Sequence, residues 1–256
     1  KADRVSQRIA GVLGLAGDRR VLYANSSATG TLLVAGLASA GVHQLLTTLL
    51  VDRARRQRPD ELRVVTIARR DRLDPLLAEL PHQWLSFVDP DDELAVAGTL
   101  NVLRRHLEHR LQHGQGDSPE LLFVVDELTD LGEPGPVLDL LARHGPTVGM
   151  SLLAATTRMD DASVERWVGL FGTRLVLRTP DEASSARLLG DTGAEDLDAV
   201  GQLWPNVQGR LFHRVRGFRI PPLHLADLVE RMRDRLPSTT LAVEDEALFG
   251  TDLSED

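Results

Sequence analysis

Two short runs carry residue types whose spacing suits phosphate chemistry. The first is Gly36-Leu37-Ala38-Ser39-Ala40-Gly41-Val42-His43. Gly36 and Gly41 have the spacing of the loop pattern G-x-x-x-x-G-K-[ST], which joins a strand to a helix. Glycines let such a loop turn tightly, so that backbone N–H groups and the helix N-terminus can face an anion. The two positions that do the charged work differ from the pattern. Val42 stands in place of the lysine that contacts phosphate, and His43 in place of the hydroxyl that holds magnesium. Lys1 is the only lysine in the chain, and an arginine reaching in from elsewhere would need another geometry. Losing a charge-assisted contact to phosphate costs on the order of a few kcal/mol. Taken alone, two glycines at this spacing also fit a plain strand–turn–helix junction.

The second run is Asp126-Glu127, directly after the apolar Leu121–Val125. In phosphoryl-transfer sites of this layout the Asp orients magnesium and the Glu activates the attacking water. Acids after a strand also cap the turn that follows, and the pair alone allows both readings.

The elements that must position these runs alternate. Strands are expected at Thr31–Ala35, Leu62–Ile67, Trp84–Val88, Leu121–Val125, Ser151–Ala155 and Arg174–Leu177. Helices are expected at Gly41–Arg53, Asp74–Leu80, Asp91–His113, Gly135–His144, Ala162–Phe171, Asp181–Leu189, Glu195–Val200 and Leu223–Leu236, the last ended by Pro237. Gly209–Ile220 reads as an edge hairpin with two β-like runs around Arg216-Gly217. The fold class is therefore α/β, a mostly parallel sheet flanked by helices, with ligands expected beyond the carboxyl ends of the strands.

Composition narrows the class further. The chain has 256 residues, 42% hydrophobic and 26% charged, with only 4% aromatic, so Leu, Val and Ala must fill the core. It lacks cysteine, which excludes disulfides and cysteine–zinc sites. A net charge of -9 argues against bulk attraction to nucleic acid, though a local basic patch is compatible with it. No apolar run reaches the roughly 18 residues of a membrane span. Because the chain begins at Lys1, it reads as a piece of a longer protein whose anchor could lie elsewhere. Residues 1–237 read as one domain and 238–256 as an acidic, mobile tail. The histidines show no metal-site spacing, and Trp84, Trp167 and Trp204 read as core or interface residues.

Several runs together resemble one family. Val34–Leu50 (VAGLASAGVHQLLTTLL) is similar to the phosphate-loop segment of FtsK/SpoIIIE-type motor domains. Phe123–Leu131 (FVVDELTDL) resembles their acidic strand. Val148–Arg158 (VGMSLLAATTR) resembles their sensor strand, which usually ends Ala-Thr-Gln-Arg. Thr173–Arg178 and Gly193–Leu197 resemble the two segments that follow, so the likeness runs in the family's order from about Val21 to Ile220.

That resemblance implies a RecA-like P-loop NTPase fold, hexameric rings and ATP-driven pumping of DNA or protein. Relatives include chromosome translocases, conjugation motors and the EccC-type ATPases of type VII secretion, which string several such domains in one chain, some of them degenerate. It implies catalytic roles for Asp126 and Glu127, with Asp126 on the metal. Gly36, Ala40, Gly41, Val42 and His43 would line the nucleotide. Thr157, Arg158, Arg174 and Arg178 become sensor or arginine-finger candidates, although each arginine taken singly also suits a surface ion pair. The chain departs from the family at Val42, His43 and Thr157, where Lys, Ser or Thr, and Gln are usual.

The expectation is an ATPase fold with its acidic pair retained and its phosphate-loop lysine lost. It would be a degenerate module with weak or no ATP hydrolysis, serving assembly, regulation or substrate binding. The alternatives are an active DNA translocase motor and a purely partner- or signal-peptide-binding domain. ATP and Mg2+ are the implied ligands if the site is retained, and none if it is not. Implied partners are other ATPase domains of the same or neighbouring chains, with protein secretion substrate or duplex DNA, in a homo-hexameric parent. The implied location is cytoplasmic, at the inner face of a membrane through other parts of that parent.

Overall fold

The computed structural model describes residues 10–16, 21–25, 30–85, 87–131, 136–159 and 162–235. The acidic segment 238–256 and Pro237 lie outside the described residues.

Chain order is β1 (Ala10–Ala16), β2 (Val21–Asn25), β3 (Thr31–Ala35), α1 (Val42–Ala54), β4 (Leu62–Ile67), α2 (Glu93–His113) and β5 (Glu120–Val125). Then come α3 (Pro136–His144), β6 (Met150–Thr156), α4 (Ala162–Val168), β7 (Thr173–Val176) and α5 (Glu182–Leu189). The chain closes with β8 (Gln202–Val207), β9 (Arg210–Leu211), β10 (Val215–Gly217) and α6 (Pro222–Arg235).

One sheet runs β2-β1-β10-β8-β7-β3-β6-β5-β4, with β9 beside β8. From β7 to β4 every pairing is parallel. From β8 outward the pairings are antiparallel. Parallel strands bury both faces, and successive side chains alternate between them. Leu32, Val34, Leu122 and Val124 accordingly face one core with Leu46 and Leu50 of α1 and Leu225 of α6. Leu33, Ala35, Phe123 and Val125 face the other with Leu103 and Leu107 of α2, Leu138 of α3 and Trp167 of α4. The strands also end level: Ala35 pairs with Thr156 and Val176, and Ile67 with Val125. The segments that follow β3, β4, β5, β6 and β7 therefore meet on one rim.

The long helix forms where its signals place it. Asp92 caps α2 by accepting the Ala95 N–H at 3.0 Å, and Gly114 follows its end. Asp181 caps α5 through the Ser184 N–H at 2.7 Å.

Some expectations need correction. Trp84–Val88 is not a strand. Among the described residues the segment lies along β4 and meets it through isolated bridges at Gln83 and Val88. Asp74–Leu80 is a 3-10 turn, Pro75–Glu79, rather than an α-helix. Glu195–Val200 is a series of turns, and α4 stops at Val168, short of Phe171. The hairpin near the C-terminus turns at Gln208-Gly209 between β8 and β9. Arg216 and Gly217 belong to β10, which pairs with β8 and β1 and is not an edge. The pairing of β1 with β2 and β10 was not expected. Among the described residues, no helix is long and apolar enough to cross a membrane.

Candidate functional site

The loop between β3 and α1 keeps the path its glycines suggest. Gly36 has φ 144° and Gly41 φ 102°, a region that favours glycine. A Cβ on Gly36 would lie 2.9 Å from Leu177 Cβ and 3.1 Å from the Arg178 carbonyl oxygen. Four of the loop's backbone donors bond to carbonyls of the protein. Gly36 N–H donates to Thr156 O at 3.3 Å, and Leu37 N–H to Arg178 O at 2.8 Å. Ala38–Ala40 forms a 3-10 turn, with Ala40 N–H on Leu37 O at 2.8 Å and Gly41 N–H on Ala38 O at 3.2 Å. Gly201 N–H in turn donates to Ala40 O at 2.9 Å.

Val42 is fully buried and packs in the core with Ala40 and Leu45. It projects inward rather than over the loop. His43 is half-buried and its Nε2 has no hydrogen-bond partner. Burial lowers the His43 pKa, helped by the Arg72 charge. Glu127, the Asp126 backbone and Asp71 pull the other way. Its surroundings place His43 beside the acidic pair.

Asp126 and Glu127 are each only 1% exposed. Asp126 Oδ2 accepts the Arg69 N–H at 3.0 Å, and Arg72 Nη1 lies 4.0 Å from Oδ1. Burial pushes the Asp126 pKa up to about 7, against the opposing pull of the Arg69 N–H and the Arg72 charge. Glu127 is gripped at both oxygens. Oε2 accepts the Thr157 N–H and hydroxyl, both at 2.8 Å, and Oε1 accepts the Thr129 hydroxyl at 3.1 Å.

The structure thus brings Gly36, Ala40, Gly41, His43, Asp126, Glu127, Thr157 and Arg158 to one rim, with the Arg178 backbone among them. Val42 belongs to the loop but its side chain leaves the site. Arg174 lies within β7 opposite Leu33, two positions before the strand's rim end, half-buried and with its Nε unpartnered. Three residues that the sequence reading passed over complete the cluster. Arg69 and Arg72 follow β4, and Asp130 follows the acidic pair. Asp130 receives Arg72 Nη1 at 2.6 Å, Arg158 Nη2 at 3.1 Å and Arg69 Nε at 3.2 Å. The signal was available: Arg69-Arg70-Asp71-Arg72 directly follows a parallel strand, where rim residues must lie.

This donor set does not match the ion that the family's site implies. Magnesium is bound through carboxylate and hydroxyl oxygens, in octahedral geometry with its own waters. Here an imidazole replaces the hydroxyl, one Asp126 oxygen is engaged by a backbone donor, and the other faces a guanidinium.

No protein-family model matches the chain. Over 225 residues it is 27% identical to the DNA translocase FtsK of Chlorobaculum tepidum, covering 75% of this chain and 28% of that protein. It superposes on the cytoplasmic domain of the type VII secretion ATPase EccC of Thermomonospora curvata with a TM-score of 0.78 and 19% identity, covering 91% of this chain and 32% of that one. Over most of its length the chain is similar to DNA translocases of the FtsK/SpoIIIE type. Its sheet and helices form the RecA-like P-loop fold of the EccC domains. Thermomonospora curvata EccC ATPases 2 and 3, solved in complex with a signal sequence peptide, also align, with a TM-score of 0.69 and 17% identity over 83% of this chain and 41% of that one. The chain spans about a quarter of the length of the curated relatives it matches.

Proposed function

We propose that this domain is a degenerate ATPase module of a larger translocase or secretion motor. It keeps the scaffold, binds ATP weakly or not at all, and serves assembly, regulation or substrate binding beside catalytic ATPase domains of the same or neighbouring chains. The observation that carries this reading is Val42. In place of a lysine aimed at phosphate, the loop sends an apolar side chain into the core. The N–H groups of Gly36, Leu37, Ala40 and Gly41 bond to protein carbonyls, which supports the same reading. The substrate of the assembly would be a secreted protein or duplex DNA, as the EccC and FtsK relatives suggest.

A second reading, an active DNA translocase motor, draws on Glu127. Its carboxylate is held at both oxygens on the rim where a water-activating base would stand. Turnover separates the two. The purified chain is assayed with ATP and Mg2+, with and without duplex DNA, alongside Glu127→Gln. The degenerate reading expects no turnover above background and no effect of the substitution. Steady, DNA-stimulated hydrolysis that disappears in Glu127→Gln would establish the motor instead.

A further inference from the structure

The charge at the acidic site is balanced from within the chain. Arg72 Nη1 is 2.6 Å from Asp130 Oδ2 and 4.0 Å from Asp126 Oδ1. The Arg72 side chain is 22% exposed, and those of Asp130 and Asp126 are 6% and 1% exposed. Asp130 works as a brace. It also holds Arg69 and Arg158, and Arg69 is paired with Asp91 on its far side. The guanidinium fork suits this placement, because one planar group can bond one carboxylate while facing another. A lysine ammonium would act as a single point charge.

We infer that Arg72 is the resident cation of this site, and that its guanidinium holds the place beside Asp126 that a divalent ion would otherwise take. An ion on Asp126 Oδ1 would sit about 2.1 Å from that oxygen, on the side that Arg72 faces. The two positive charges would be a few ångströms apart in a poorly solvated cleft, where repulsion is strong. Displacing Arg72 would also leave Asp130 short of its shortest contact. The site therefore excludes divalent cations, whether or not the phosphate loop takes an anion. This inference rests on Arg69, Arg72, Asp126 and Asp130 and not on Val42, so it can fail while the degenerate reading stands, and the reverse.

Removing the guanidinium uncovers Asp126 Oδ1 and takes the shortest contact from Asp130, and this pair of carboxylates attracts a cation. The experiment titrates Mn2+ into the full chain in the absence of nucleotide and follows free Mn2+ by electron paramagnetic resonance. Wild type is expected to show no saturable site up to about 1 mM. Arg72→Met is expected to gain one site, at least about tenfold tighter, which Asp126→Asn in the same background removes. Two results would overturn the inference. One is a saturable wild-type site that Asp126→Asn abolishes. The other is a folded Arg72→Met protein, checked by circular dichroism, with no gained site. Arg72→Gln, which keeps a polar group against Asp130, takes its place if Arg72→Met does not fold.

Discussion

The loops after β3 and β5 leave the same rim one strand apart, yet they relate backbone to side chain in opposite ways. After β3 the backbone follows the path of a phosphate loop, while the N–H groups of Gly36, Leu37, Ala40 and Gly41 bond to carbonyls and Val42 joins the core. After β5 the side chains stay at the rim, and each carboxylate has defined partners. The difference separates path from function. Gly36 is required by Leu177 and the Arg178 carbonyl, which belong to the fold and not to any ligand. Such a loop can outlast the chemistry it resembles. The carboxylates have their own partners, Arg69 and Arg72 at Asp126 and Thr129 and Thr157 at Glu127.

The largest expected effect probes the acidic side. Asp126 has a folded-state pKa of about 7 against an ordinary 3.8. A group raised in this way stabilises the fold fully below about pH 4, and that contribution is lost as pH rises through 7. A shift of this size corresponds to on the order of 4 kcal/mol. A carboxyl-carbon NMR titration should place the Asp126 midpoint near 7. A midpoint near 4 would show that burial does not govern this side of the comparison.

Next comes Val42→Lys, which puts an ammonium where the side chain is fully buried. It is expected to lower stability by about 3 kcal/mol in urea unfolding. Unchanged stability would mean that this position opens to the rim after all. Gly36→Ala is expected to cost about 2 kcal/mol, from its positive φ and the contact with Leu177. A neutral result would remove the claim that packing alone preserves the loop's path. The smallest effect is Thr157→Val, about 1 kcal/mol, because Glu127 Oε2 keeps the Thr157 N–H after losing the hydroxyl. A much larger loss would show that the hydroxyl, not the backbone, positions Glu127.

Part of this was legible in the sequence. β3, β4 and β5 announce themselves as nearly continuous apolar runs, because strands buried on both faces need no polar alternation. The acidic pair was legible because it follows one of them. Trp84–Val88 has strand composition, but among the described residues it meets β4 through isolated bridges, and composition does not encode that partial pairing. The pairing of β1 with β10 joins segments about two hundred residues apart, with no alternation in Ala10–Ala16 to signal it. The position after β4 marks Arg72 as a rim residue, but its pairing with Asp126 and Asp130 was hidden for a similar reason. It depends on β4 lying next to β5, a fact of sheet order and not of local pattern.

We propose that this RecA-like scaffold does not hold nucleotide tightly. Isothermal titration of the chain with ATP in the presence of Mg2+ tests it most directly. The expected result is no saturable heat with ATP up to about 1 mM. Micromolar binding, with one ATP per chain, would contradict it.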